Sequence, residues 1–205
     1  MNKPKKRTRI QERNRASILE AALEVFSKAG FRGATLDQIA STAGLSKPNL
    51  LYYYASKEAI HAELLSGLME NWLEPLEAMN PDGEPVDEII GYVLRKLEMA
   101  RSLPRESRLF ANEIVQGAPR ILPEISGPLK TLVDQKTKAI QDWVEAGRIA
   151  KIDPYHLIFS IWATTQHYAD FDVQIRAILT PEANEHFSDA EAFLKQMYRA
   201  MLKPH

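Results

Sequence analysis

Apolar residues recur every three or four positions along most of the chain, which is the period of an amphipathic α-helix. The first of these stripes predicts a helix from about Arg13 to Ala29. Gly30 follows as a residue suited to a left-handed C-terminal turn, and Phe31 can make the apolar contact that often accompanies such a turn. No segment alternates apolar and polar residues as a half-buried strand would. The pattern therefore predicts an all-α protein.

A short helix and a tight turn are predicted next, over residues 35–45. Thr35 lies three residues before Gln38, which is the spacing of a capping box at a helix N-terminus. Gly44 then interrupts the helix within a short turn, as a helix-turn-helix requires.

A second short helix follows this turn. Ser46 can cap its N-terminus, and Pro48 lies in its first turn, where a missing N–H costs little. Leu50 and Tyr54 are one turn apart and are expected to face inward. A second helix with small and polar groups near its N-terminus is the geometry that enters a DNA major groove, and the alternative is an ordinary helical hairpin. The residues that point outward in this prediction are Pro48, Asn49 and Tyr52.

A long helix is predicted from Ser56 towards Met79, with a bend near Pro75 and a loop over residues 79–85. About 23 residues of helix span roughly 35 Å, which is enough to connect two parts of the molecule. Five further helices complete an all-α protein of nine helices. They are Val86–Ser102, Ser107–Gln116, Gly127–Ala146, a helix from Pro154 through Phe171, and a helix capped by Ser188 with Glu191 that ends near Leu202.

The charge is divided unequally along the chain. Residues 1–57 hold 11 Lys and Arg against 4 Asp and Glu, a net charge of +7, whereas residues 58–205 hold 15 against 23, a net charge of −8. A basic end on an acidic body indicates a polyanionic partner for the basic end alone. Residues 1–12 are expected to form a flexible arm, solvated in the free protein and able to contact phosphates or the minor groove of DNA. Its cations are Lys3, Lys5, Lys6, Arg7 and Arg9.

Composition excludes several classes of protein and site. There is no Cys, so disulfides, thiolate metal sites and a Cys nucleophile are excluded. No apolar run approaches the length of a membrane span, and the basic N-terminus lacks the apolar segment of a signal peptide. We therefore expect a cytoplasmic protein that has no membrane contact, no metal and no cofactor.

Nothing in the sequence predicts an enzyme. The His residues have no metal-ligand spacing, and no Gly-rich phosphate loop or nucleophile elbow is present. His167 and Asp170 are three residues apart on a predicted helix, so they could pair as an acid and a base. A buried or interfacial hydrogen bond is the simpler interpretation, because one such helical pair is common and implies no catalysis.

The stretch from Thr35 to Lys57 resembles the DNA-binding signature of TetR-family transcriptional regulators. The match extends to Ile18, Ala22 and Phe26 before this stretch. The resemblance implies a homodimer whose N-terminal domains read a palindromic operator in double-stranded DNA and whose C-terminal domains bind a small molecule. The expected parts are a basic arm over residues 1–12, a helix-turn-helix domain over 13–57, and a ligand-binding and dimerisation domain over 58–205.

The same resemblance implies roles for individual residues. Many family members carry Thr and Tyr where this chain has Asn49 and Leu51. Asn49 can read adenine through a bidentate pair, whereas Leu51 can only touch a thymine methyl group, so the operator sequence cannot be transferred from better-known relatives. Positions that usually contact phosphates are matched by Thr35, Tyr53 and Lys57, and positions near base edges are matched by Lys47, Pro48, Asn49 and Tyr52.

A candidate ligand site is predicted in the C-terminal domain. Trp162 and Gln166 are one turn apart on the same helix face, where a flat indole beside an amide suits a small, planar, polar ring. The alternative is that Trp162 belongs to the core and that Arg108 makes a structural ion pair. Residues on other helices that could complete the pocket are Trp72, Leu76, Lys96, Arg108 and Asn112.

A narrower resemblance links the chain to TetR-family members that regulate pyrimidine use. It implies a uracil or thymine effector, which offers two N–H donors and two carbonyl acceptors and releases the protein from DNA. The alternative within the family is a repressor that senses a different small molecule. The segments that carry the resemblance are residues 46–47, 49–53, 72–76, 107–110, 117–119 and 153–171.

The sequence therefore predicts a ligand-responsive, homodimeric repressor. The last two predicted helices would pair with their copies as a four-helix bundle, and ligand would change the separation of the two DNA-reading heads. Two other classes, a small-molecule enzyme and a protein-binding adaptor, stay open. Removing residues 1–57 separates them, because only the repressor would lose its activity.

Overall fold

A computed structural model describes residues 9–204, and within this range every regular element is helical, which confirms the predicted all-α class. A π-helical turn, Ile125–Leu129, leads into α8. The helices are α1 Arg9–Gly33, α2 Leu36–Thr42, α3 Lys47–Tyr53, α4 Lys57–Glu77, α5 Pro85–Ser102, α6 Pro104–Val115, α7 Leu122–Glu124, α8 Lys130–Glu145, α9 Pro154–Asp170, α10 Asp172–Leu179 and α11 His186–Leu202.

The first helix starts earlier than the sequence predicted and bends where the sequence placed its end. It begins by Arg9, since residues 9–12 contain no helix breaker. Gly30 adopts φ +65°, a left-handed conformation that glycine takes without steric cost. Phe31 then turns back and stacks on Phe26 at 5.9 Å between ring centroids. The other cations of the predicted arm, Lys3, Lys5, Lys6 and Arg7, lie outside the described residues.

Two apolar cores meet along α4. The first core lies beneath the helix-turn-helix and joins α1 to α4, and it also includes Leu109, Ala118 and Ile121 from α6 and the segment after it. The second core joins α5, α8, α9 and α11. α4 contributes Leu65 to the first core and Leu76 to the second. At 21 residues α4 is about 32 Å long, so the predicted long connecting helix is confirmed.

The C-terminal half differs in detail from the prediction, because α7 and α10 raise the number of α-helices in residues 9–204 from the predicted nine to eleven. α6 begins at Pro104, because proline is well suited to the first position of a helix and here starts a helix directly after α5. α10 follows α9 almost without a break and was not predicted. α11 begins at His186, so Ser188 lies inside its first turn and makes no capping box with Glu191.

Candidate nucleic-acid interface and ligand pocket

The predicted capping of the two short helices is present. The N–H of Gln38 donates to Oγ1 of Thr35 at 3.2 Å, and the Gln38 side chain accepts from the N–H of Thr35 at 2.9 Å, which completes a capping box. Oγ of Ser46 accepts from the N–H of Asn49 at 3.4 Å. These bonds set where α2 and α3 begin, and so which face of α3 is exposed.

The exposed face of α3 carries the residues predicted to lie near bases. Leu50 is fully buried and Tyr54 is nearly so, as expected for the inward face. Tyr52 is 70% exposed. Lys47 forms an exposed ion pair with Asp37 at 2.9 Å, which contributes little stability and leaves the lysine accessible to another anion. The other exposed residues of α3 are Pro48, Asn49 and Leu51.

The N-terminal part of α1 holds the last turn of α3. Nδ2 of Asn14 donates to the hydroxyl of Tyr53 at 2.7 Å, and Arg15 donates to the Tyr53 carbonyl at 3.0 Å. The Arg15 guanidinium also lies 4.2 Å from the ring centroid of Tyr54 and pairs with Glu63. Because the Tyr53 hydroxyl accepts from Asn14, its own proton is left to donate to an acceptor such as a phosphate oxygen.

Lys57 has a structural role that its sequence position did not reveal. Its Nζ donates to the carbonyls of Phe31 and Ala34, both at 2.7 Å, and lies 4.4 Å from the Phe31 ring centroid. The ammonium thereby ties the N-terminus of α4 to the turn between α1 and α2. Its sequence position matches a phosphate contact, whereas these bonds turn the ammonium towards the protein backbone.

We expect Lys57→Met to lower the free energy of unfolding by about 1–3 kcal/mol, because two carbonyls lose a charged donor. Urea unfolding checks this, with Lys47→Met as the matched control, since an exposed lysine should change stability by less than about 0.5 kcal/mol. Equal stability of wild type and Lys57→Met would contradict the structural role. Operator binding of the same variant across salt concentrations tests the phosphate role, because losing one contact makes the slope shallower by about one unit at most.

Five of the predicted ligand-site residues meet in one pocket. The pocket encloses about 60 Å³, room for roughly four to six water molecules and so of the scale of one small ring. The predicted residues are Trp72, Leu76, Lys96, Trp162 and Gln166, and the others are Met69, Leu73, Tyr92, Phe110 and Leu129.

Arg108 and Asn112 do not line this pocket. They are four residues apart on α6 and share one face, whereas Phe110 lies between them in sequence and faces the pocket from the opposite side of the helix. The Asn112 side chain is exposed, and the charge of Arg108 acts on Asp170, where it opposes the burial that raises the pKa of that carboxyl group.

The aromatic walls of the pocket are held in place from more than one helix. The rings of Trp72 and Phe110 stack with centroids 6.2 Å apart and an interplanar angle of 23°. Nε1 of Trp162 donates to the Tyr92 hydroxyl at 2.7 Å. Sequence reasoning missed Tyr92, although its position one turn before Lys96 on α5 is a signal that both side chains share a face.

Lys96 is the charged group of this pocket. It is only 2% exposed, and its Nζ lies 5.1 Å from the Trp72 ring centroid. Burial lowers the pKa of Lys96 to about 7, although the charge of Asp170 opposes this shift. Among residues 9–204 the Lys96 ammonium has no hydrogen-bond acceptor and no ion-pair partner.

Asp170 has a different partner from the one predicted. Its Oδ1 accepts from the Ser107 hydroxyl at 2.6 Å, while the His167 ring stacks on Phe171 with centroids 4.9 Å apart. The expected bond between His167 and Asp170 is therefore replaced by a bond between α9 and α6. Within the described range, no group of three or more His, Asp and Glu side chains is placed to hold a metal ion. None of the helices described over residues 9–204 is both long and apolar enough to cross a membrane.

Comparison with known families assigns both parts of the chain. Residues 18–64 match the family described as "Bacterial regulatory proteins, tetR family", and residues 65–205 match "YcdC-like protein, C-terminal region". The chain belongs to the TetR family. It is a transcriptional regulator of the TetR type and not an enzyme, as the sequence predicted.

Two transcriptional regulators match this TetR-family chain along most of their length. The HTH-type transcriptional regulator RutR of Escherichia coli K12 is 49% identical over 173 residues, which cover 84% of this chain and 82% of RutR. The HTH-type transcriptional repressor SCO4008 of Streptomyces coelicolor is 28% identical over 171 residues, which cover 83% of this chain and 85% of SCO4008. The chain is therefore similar to RutR well beyond the DNA-binding head.

Solved TetR-like structures share the fold at low identity. AibR in complex with isovaleryl coenzyme A and operator DNA gives a TM-score of 0.72 at 18% identity and covers 94% of this chain and 100% of AibR. A TetR-like transcriptional regulator from Rhodococcus sp. RHA1 gives a TM-score of 0.67 at 19% identity and covers 95% of this chain and 96% of that regulator. These comparisons establish the arrangement of an N-terminal helix-turn-helix and a helical C-terminal domain.

Proposed function

We propose that this protein is a homodimeric repressor that binds a palindromic operator through α3 and is released by uracil or thymine. The meeting of Trp72, Lys96, Trp162 and Gln166 in one ring-sized pocket carries the proposal. Similarity to RutR over most of the chain supports it further. Such a regulator would act in the cytoplasm, where it meets the chromosome.

The chemistry of the pocket suits a small oxo-substituted ring. The stacked rings of Trp72 and Phe110 provide a flat apolar wall. The amide of Gln166 can answer one N–H and one carbonyl of the ring, and Lys96 can donate to a second carbonyl. The mostly apolar remainder of the lining favours a second candidate, which is a less polar planar molecule sensed by the same pocket.

Different residues near α3 are proposed to contact the phosphates and the bases of the operator. Tyr53 would donate to one phosphate, and Thr35 would contact another at the start of α2. Lys57 is also proposed as a phosphate contact, because its sequence position matches one. Operator half-sites for a dimer of this kind lie about 34–36 Å apart. The residues proposed to approach base edges are Lys47, Pro48, Asn49 and Tyr52.

Asn49→Ala should relax the base preference at one position in each half-site, since a bidentate amide contact discriminates by about 1–3 kcal/mol. Selection of operators from a randomised pool checks this. Wild type and variant should return motifs that differ at that position alone. An identical motif from both proteins would show that Asn49 does not read a base.

The proposed dimer uses the outer faces of α9 and α11. Phe159 on α9 is 47% exposed and Phe193 on α11 is 59% exposed, and pairing with a second copy of the chain would remove both apolar rings from water. We expect sedimentation equilibrium to give twice the mass of the chain, and Phe193→Asp to give the monomer mass at the same concentration. A monomeric wild type would contradict the dimer.

Thermal shift and operator release together test the effector. A ligand that binds only the folded protein adds about 2.7 kcal/mol of stability at a hundredfold excess over its dissociation constant. Uracil or thymine should raise the unfolding temperature and release labelled operator, and cytosine should do neither. Gln166→Met should lose both responses, whereas Gln135→Met on the exposed face of α8 should keep them. No response to any pyrimidine would reject the pyrimidine effector and leave the second candidate.

A further inference from the structure

The ligand pocket has a surplus of hydrogen-bond donors. Nε1 of Trp72 is a fully buried donor without a hydrogen-bond partner among residues 9–204. Nζ of Lys96 belongs to a side chain that is only 2% exposed, and it makes no hydrogen bond or ion pair within this range. Both side chains line the pocket, and α4 and α5 bring them together so that the ammonium lies over the indole ring. Buried donors without acceptors are costly, so the pocket favours a ligand that supplies acceptor atoms on this side.

The remaining polar groups of the pocket do not supply these acceptors. The Tyr92 hydroxyl already accepts from Trp162, and burial raises the pKa of Tyr92, which keeps this phenol neutral. The amide of Gln166 makes no hydrogen bond to any other residue in the described part of the chain. Gln166 is therefore able to turn either its oxygen or its nitrogen towards a ligand.

The charge that acts on Lys96 comes from α9. Asp170 favours the ammonium form of Lys96, but its own oxygen is engaged by Ser107 and it forms no ion pair with the lysine within the described residues. The charges of Arg108 on α6 and His167 on α9 favour the ionised form of Asp170. α4 contributes only the neutral Trp72 and apolar residues to the pocket wall.

We propose that Lys96 binds the effector in its ammonium form and that Lys96 and Trp72 together make a donor-only edge for two acceptor atoms of the ligand. In this arrangement effector binding takes up a proton above neutral pH. The neutral amine of the ligand-free protein gains a proton from the solvent, and the ammonium then donates to a ligand carbonyl. The inference rests on the proposed function, because it concerns the same pocket.

The direction of the linkage follows from the charge state of Lys96. Because its pKa is about 7 in the pocket, the amine is mostly neutral at pH 8 and mostly charged at pH 6. A carbonyl oxygen that accepts from the ammonium raises the pKa of Lys96 in the complex. Binding should therefore take up about 0.9 of a proton at pH 8 and about 0.1 at pH 6, and affinity should fall by up to about tenfold per pH unit above 7.

Calorimetric titration of uracil into the full-length protein tests this proposal. The titration is run at pH 8 and pH 6, each in two buffers of different ionisation enthalpy, and the difference in apparent heat between the buffers counts the protons taken up. Lys138→Met, which removes an exposed lysine of α8, should reproduce the wild-type count. Lys96→Met should bind uracil more weakly, and any binding that remains should take up no proton.

The possible outcomes separate this inference from the proposed effector. Proton uptake near one at pH 8 that disappears at pH 6 and in Lys96→Met supports the donor-only edge. Uracil binding without net proton uptake at pH 8 overturns the inference but leaves uracil as the effector. Absence of uracil binding at both pH values overturns both.

Discussion

Replacing Lys96 with methionine should raise the unfolding temperature of the ligand-free protein at pH 7 by about 5–15 °C. Methionine keeps the length and apolar stem of the side chain but removes a buried ammonium that has no hydrogen-bond acceptor in the described chain. Relief of such a charge is worth about 2–4 kcal/mol, and a protein of this size shifts by about 2–4 °C per kcal/mol. The same variant should respond more weakly to the effector.

The rise in unfolding temperature caused by Lys96→Met should depend on pH in a definite direction. The pKa of Lys96 is about 7 in the folded protein and 10.5 as an ordinary lysine, so the unfolded chain binds more protons between these values. The cost of the buried ammonium is full below pH 7 and declines as the pH rises towards 10.5. The advantage of Lys96→Met should therefore be largest below pH 7 and nearly absent at pH 10.5. Calorimetric melting across this range checks the trend, and a Lys96→Met protein that melts below wild type at pH 7 would contradict it.

Replacing Arg120 with methionine should have the opposite effect and lower the free energy of unfolding by about 3–5 kcal/mol. The guanidinium donates to Oε2 of Glu113 at 2.8 Å, and the Glu113 side chain is almost fully buried. Removing one partner leaves the other charge buried and unpaired, which accounts for most of the cost. The variant also loses the contact between Arg120 and the ring of Phe31, 3.5 Å from the guanidinium to the centroid.

A double variant separates the charge effect from the loss of packing. Glu113→Gln together with Arg120→Met removes both charges, so it should recover a large part of the lost stability. Urea unfolding of the single and double variants gives the comparison. If the double variant is as unstable as Arg120→Met alone, the cost arises from packing on Phe31 and not from the buried carboxylate.

The DNA-reading head was predictable from sequence because its signals are local. The capping box of Thr35 and Gln38, the cap at Ser46 and the turn at Gly44 depend on residues within one or two helical turns of each other. The inward positions Leu50 and Tyr54 follow from the helical period alone. Such signals do not depend on how distant helices pack, and the structure reproduces them.

Features that depend on distant contacts were predicted less well. Lys57 is near Phe31 and Ala34 only because α4 packs beside the end of α1. The pocket contains Phe110, and not Arg108 or Asn112, because packing sets the rotation of α6 about its axis.

The C-terminal half shows the same limit at the level of whole helices. α10 has no side-chain cap at its N-terminus, so no local capping signal indicated where this helix begins. The sequence pattern of Ser188 and Glu191 is a real capping motif, but the chain starts α11 two residues earlier, where His186 is buried.

The shared core beneath the DNA-reading head affects how hybrid regulators should be built. Leu109, Ala118 and Ile121 pack with the residues of α1 to α4, and Arg120 covers Phe31, so the head is completed by a segment from the middle of the chain. A chimaera joined at residue 57 would pack a foreign head against side chains that complement the native head. Exchanging residues 109–121 together with the head, but keeping Phe110 as a wall of the ligand pocket, would leave the matching core partners on one parental sequence. Such grafts should give hybrids that fold and still respond to ligand.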